Sequence, residues 1–191
     1  YLTLQDSTDY VAHVSDQLKY AIRLTNNTNS ALTSLTLTAK LEGTMYDLAT
    51  MDSTGAFDSR TRVITWNSAV VPELGNLGAN QSIVVPFRIK LKSAFPGGTI
   101  GTQNSFVKTT VHAETLDVPN VLAINRIAAD DNLVTRISTA PSLDQRLTIA
   151  DSQWGVSGPY PPRIDQTTVF TDHWSLANPS NDMTGAKITA I

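Results

Sequence analysis

The chain has 191 residues and a formal net charge of −3, with no cysteine, a length that suits one ordinary domain plus part of another. The mild acidity and the lack of any lysine or arginine run exclude the electrostatic footprint of a nucleic-acid or anionic-membrane binder. No apolar run approaches the ~18 residues of a membrane span, so no membrane insertion is expected in this stretch. The missing cysteine excludes disulfides, thiolate metal sites and thiol catalysis.

Glutamate occurs only at Glu42, Glu73 and Glu114, whereas threonine occurs 25 times. Threonine is β-branched and suits a pleated strand, while glutamate favours helices, so the composition points to an all-β protein. In chain order, Leu18, Tyr20, Ile22 and Leu24 alternate with Lys19 and Arg23, the pattern of a half-buried strand, and Asn26-Asn-Thr-Asn-Ser30 follows as a turn. Leu35, Leu37, Ala39 and Leu41 alternate with Thr36, Thr38 and Lys40; Val63-Ile-Thr-Trp66 reads as a short strand with a core tryptophan. Val85, Phe87, Ile89 and Leu91 alternate with Arg88, Lys90 and Lys92, and Pro86 calls for an edge position or a bulge. Pro96-Gly-Gly98 is a break; strands are expected over 106–114 and 122–127. Short strands with turn signals between them predict a sandwich of two antiparallel sheets.

Leu2-Thr-Leu-Gln-Asp-Ser7 returns as Leu147-Thr-Ile-Ala-Asp-Ser152, and Asp16-Gln17 as Asp165-Gln166. Leu24-Thr-Asn26 returns as Leu176-Ala-Asn178, and Thr33-Ser-Leu-Thr-Leu-Thr-Ala39 as Thr184-Gly-Ala-Lys-Ile-Thr-Ala190. The order is kept while the spacing drifts by a few residues, as loop insertions would cause. Such a period is an array of whole domains rather than a solenoid. The expected division is one full repeat over 1–145 and the opening strands of a second over 146–191. Residues 147 and 176 should then occupy strands equivalent to those holding residues 2 and 24. The second repeat would present Ile149, Phe170, Trp174, Leu176 and Ile188 on an uncovered apolar face, to be completed by strands of a longer parent or by strand addition from a neighbouring molecule.

These segments resemble the immunoglobulin-like conserved repeat of unknown function found in large bacterial and archaeal cell-surface and envelope proteins. The resemblance rests on the opening Leu-Thr-x-x-Asp-Ser, on Asp16-Gln-Leu-Lys-Tyr-Ala-Ile-Arg-Leu-Thr-Asn26, on the Trp66 strand, and on Leu77-Gly-Ala-Asn-Gln-Ser82 running on to Phe87. The second copy departs from it with Val169-Phe-Thr-Asp-His-Trp174 in place of the Tyr-x-Ile strand. The resemblance implies an immunoglobulin-like antiparallel β-sandwich, an extracellular or cell-surface location and a spacer or adhesive role without catalysis.

The residues needed for chemistry do not assemble in the sequence. His13, His112 and His173 lack metal-ligand neighbours, no nucleophile elbow exists, and no glycine-rich phosphate loop is present, so no enzyme and no cofactor is expected. Asp130-Asp131-Asn132 is the candidate calcium site, because hard cations want several oxygens and paired acids in a loop near the domain junction would supply them. Lys19, Lys40, Lys90 and Lys92 are out of phase with the core, which argues against a Lys–Asn isopeptide staple; Lys108 and Lys187 are phase-ambiguous. Asn26-Asn-Thr28 and Asn80-Gln-Ser82 make Asn26 and Asn80 glycosylation candidates. The expected function is a non-catalytic module of an extracellular tandem-repeat protein, partnered by neighbouring copies. The alternative is an adhesin for glycan or protein ligands, for which Tyr10, Tyr46, Phe57 and Tyr160 are scattered aromatic candidates.

Overall fold

The computed structural model describes residues 1–95, 105–118, 124–138, 141–151, 153–178 and 185–189. The Pro96-Gly-Gly98 break and part of the strand expected over 122–127 lie outside them. The fold is all-β, and its pairings are antiparallel except for one short parallel pair.

One sheet holds β1 (Leu2–Leu4), β3 (Gln17–Thr25), β10 (Ser82–Leu91) and β6 (Tyr46–Ser53), in the order β1-β3-β10-β6. The other holds β2 (Ala12–His13), β12 (Ile127–Ser138), β11 (Phe106–Thr115), β5 (Thr36–Glu42), β8 (Val63–Trp66) and β7 (Ala56–Asp58), in the order β2-β12-β11-β5-β8-β7. A small pair, β4 (Leu32–Thr33) with β9 (Asn76–Leu77), and a 3-10 turn over Pro72–Gly75 close one end. The period-two alternation decides which side chains turn inward: Leu18, Tyr20 and Ile22 from β3, Leu37, Ala39 and Leu41 from β5, and Val85, Phe87, Ile89 and Leu91 from β10 are all buried. The ambiguous phase of β11 resolves with Val107, Thr109, Val111 and Ala113 inward, which leaves Lys108 on the outer face. Lys19, Lys40, Lys90, Lys92 and Lys187 are exposed.

The centre of the core is aromatic and joins the two sheets. Phe87 sits opposite Tyr20 in the β10–β3 ladder, and their rings stack at 4.7 Å with planes 12° apart. The Trp66 ring, from the opposite sheet, lies 5.9 Å from that of Phe87. Gly55 makes this packing possible: a Cβ there would fall 2.7 Å from Trp66 Nε1 and 2.8 Å from the Thr65 carbonyl. A polar chain runs beside the rings. The Tyr20 and Tyr46 hydroxyls share a hydrogen bond of 2.8 Å, and Tyr46 and Thr109 share one of 2.9 Å across the sheets. Burial raises both tyrosine pKa values, Tyr46 well above its ordinary value of 10.0. The folded state therefore keeps the phenols neutral to higher pH than the unfolded chain does. Stability should hold below the ordinary tyrosine value and fall as pH rises past it. Denaturant midpoints measured at neutral pH and above pH 10 check this, and Tyr46→Phe should shrink the alkaline loss.

Pro86 is accommodated by the end of a neighbour. β6 reaches only to Ser53, opposite Phe87, so on that side β10 is an edge at Pro86, and a register shift follows between Arg88 and Lys90. β6 and β7 carried no usable alternation and were not anticipated. The expected 122–127 strand is also displaced: the strand begins at Ile127 and runs to Ser138.

Beyond Ser138, β13 (Ser142–Thr148) pairs antiparallel with β16 (Thr171–Ala177), and the short β14 (Ala150–Asp151) pairs with β15 (Gly155–Val156). Residues 185–189, where the repeat predicted a third strand, form none.

Candidate functional site

The three expected calcium ligands lie on a strand rather than in a loop, opposite His112, Val111 and Thr110 of β11. Successive strand residues point to opposite faces, so they do not converge. Asp130 turns outward and lies 2.7 Å from His112 Nδ1, whereas Asp131 accepts the Leu2 N–H at 2.8 Å and ties β1 to the facing sheet. Among the described residues no group of three or more His, Asp or Glu side chains suits a metal ion. Composition suggested paired acids at a junction; strand phase separates them.

Around Asp130 is a surface network that sequence spacing did not reveal. Arg126 Nη2 lies 2.7 Å from Glu114 Oε2, and His112 Nε2 lies 3.6 Å from the same oxygen. These groups come together because β11 and β12 are adjacent. All are partly solvated, and exposed ion pairs of this kind contribute little to stability.

The glycosylation candidates also differ sharply. Asn26 is 2% exposed, and its Nδ2, the atom that would carry a glycan, donates to the carbonyls of Ser30, Leu77 and Gly78 at 2.8, 2.9 and 3.1 Å. Its Oδ1 accepts from the Thr28 N–H at 2.9 Å and the Thr28 hydroxyl at 2.7 Å. Asn26 is thus the clamp of the corner after β3, and the folded protein presents no free amide there. Asn80 is exposed, and its backbone N–H donates to the Asn26 carbonyl at 2.9 Å.

Of the scattered aromatics, Tyr46 is core, while Tyr10 and Phe57 pack half-buried against it. Tyr160 is exposed, and so is Trp154 at the β14–β15 tip. That tip is built by Asp151, whose Oδ1 accepts the N–H groups of Gln153 and Trp154 at 2.7 and 3.0 Å. Gly155 completes the turn at φ +78°. These bonds, with His173 hydrogen-bonded to the other carboxylate oxygen, hold the Asp151 pKa below its ordinary value. The Asp-x-x-x-Gly spacing was the available signal for this hairpin.

The β13–β16 ribbon has two unlike faces. Cross-strand partners share a face, and the register pairs Leu143 with Leu176, Gln145 with Trp174 and Leu147 with Asp172. One face therefore carries Leu143, Leu147, Trp174 and Leu176, and Phe170, one residue ahead of β16, continues it. The other carries Ser142, Asp144, Arg146, Thr148, His173 and Ser175. In the context of the whole chain the apolar side chains remain open: Leu143 is 52% exposed, Leu147 61%, Phe170 41%, Trp174 37% and Leu176 43%. Asp172, on the same face, accepts from Gln145 Nε2 and Trp174 Nε1, both at 2.7 Å. Scans of protein-family models and of curated proteins return no match to this chain. Among the described residues no helix is long and apolar enough to cross a membrane.

Proposed function

We propose that the chain is a non-catalytic structural module of an extracellular tandem-repeat protein, with immunoglobulin-like β-sandwich units in series as a stalk, surface layer or filament subunit, and neighbouring copies or repeats as its partners. The observation that carries this reading is the parallel between the two parts. Residues 2–7 echo in 147–152; Leu2 lies on β1, which pairs antiparallel with β3 ahead of Asn26, and Leu147 lies near the end of β13, which pairs antiparallel with β16 ahead of Asn178. The two registers differ by two residues, which keeps the same side chains on the same face. On this reading β13, which begins at Ser142, is counted with the second unit, a few residues ahead of the 145/146 division.

Trp154 and Tyr160, exposed on two loops of the second part, favour the adhesin alternative as a second reading. One experiment separates the two. Polypeptides carrying two, three and four head-to-tail copies should appear under the electron microscope as rods whose length grows by a constant step. Irregular chains without a fixed step would contradict the array. Selective retention on a glycan array, lost in Trp154→Ala, would favour the adhesin.

A further inference from the structure

We infer that the edge of β16 away from β13, unpaired among the described residues, is an acceptor for an extended strand of the β10 type from the same repeat protein; this rests on the repeat reading above. The first unit shows which strand such an edge takes. There β3 has β1 on one edge and β10 on the other, with Val85 opposite Ile22, Phe87 opposite Tyr20 and Ile89 opposite Leu18. Among the described residues β16 has a partner on one edge alone, β13, the counterpart of β1. Matching Leu176 and Asn178 to Leu24 and Asn26 sets Trp174 where Ile22 stands and Phe170 where Leu18 stands. An incoming strand running antiparallel to β16, with large apolar residues at alternate positions, would extend the ribbon and widen the apolar face that Trp174, Leu176 and Phe170 already begin.

The protection of the other edges supports the same inference. In the sandwich the edge strands β1, β2 and β7 are 3, 2 and 3 residues long, and the remaining edge, β6, carries a register shift. Short or bulged edges are how soluble sheets avoid pairing with other chains. β16 is 7 residues long, regular in register, and free of proline and lysine, and the one carboxylate on its apolar face, Asp172, is taken up by Gln145 and Trp174. An edge of this kind beside an open apolar face is fitted for strand addition, where backbone hydrogen bonds supply affinity and alternate side chains supply specificity. A two-stranded ribbon alone is marginal in water, so the added strand would also order its host.

The test adds a synthetic peptide covering residues 81–92 to the full chain and follows amide hydrogen exchange residue by residue. Exchange at alternate amides of Thr171–Ala177 should slow at least about tenfold at saturating peptide, with the sandwich strands unchanged. A control peptide with Val85, Phe87 and Ile89 replaced by serine should have no effect, and Trp174→Ser with Leu176→Ser in the chain should abolish the protection. Unchanged exchange in β16, or equal protection by the control peptide, would overturn the inference. Rods of constant step obtained alongside unchanged exchange would reject strand acceptance while leaving the array standing.

Discussion

Phe87→Ala is expected to destabilise the sandwich by about 3–5 kcal/mol, a large share of the ~5–15 kcal/mol that holds a typical domain together. The ring is buried where it stacks on Tyr20 at 4.7 Å and meets Trp66 at 5.9 Å, so its removal opens a void between the sheets. Urea unfolding monitored by tryptophan fluorescence measures the loss. A change below about 1 kcal/mol would mean that the aromatic ladder is not the centre of the core. Phe87→Leu should cost clearly less, since it keeps most of the apolar volume.

Asn26→Ala is expected to cost roughly 2–4 kcal/mol, which is unusual for a single side chain in a turn. The change removes the donor shared by the carbonyls of Ser30, Leu77 and Gly78 and the acceptor used twice by Thr28. Leu77 O lies in buried surroundings, so part of the loss is the desolvation of a carbonyl left without its partner. Asn26→Asp discriminates between causes: it keeps the acceptor, loses the donor and brings a charge into a site 2% exposed, so it should cost at least as much as alanine. Asn80→Ala keeps the backbone N–H that bonds the Asn26 carbonyl directly, so it should cost clearly less, limited to the poorer tolerance of alanine for a positive φ of 59° at an exposed residue.

The contrast between those two asparagines illustrates what the sequence could carry. Period-two alternation placed Tyr20, Phe87 and Trp66 in the core, because a strand with one wet face leaves no freedom in where its apolar residues point. The same logic set the lysines in water. It fails for β6, where Tyr46-Asp-Leu-Ala-Thr-Met-Asp-Ser53 has no clean alternation, so nothing in the sequence separates Tyr46, a buried bridge between sheets, from the other scattered aromatics. It failed again at Asp130-Asp131-Asn132, whose composition is that of a turn but which pairs along its whole length with β11; tertiary pairing overrode local preference. An asparagine that reads as a glycosylation acceptor and one that clamps a corner are chemically identical in sequence. The partner carbonyls, some 50 residues away, distinguish them. The open face of the second ribbon was legible, because Phe170, Trp174 and Leu176 follow the alternation, and among the described residues no strand faces them.

The central claim is that residues 141–178 are the opening of a second, uncovered unit beside a closed sandwich. Residue-resolved hydrogen exchange on the whole chain at monomer concentration tests it most directly. The account predicts deep protection across β3, β5, β10 and β11, which form the interior of the two sheets, and exchange in β13 and β16 faster by orders of magnitude, because among the described residues that ribbon has no third strand and its apolar face is open. Equal protection of β16 and β10 in the monomer would contradict it, since the ribbon would then be a finished domain in need of no further strands.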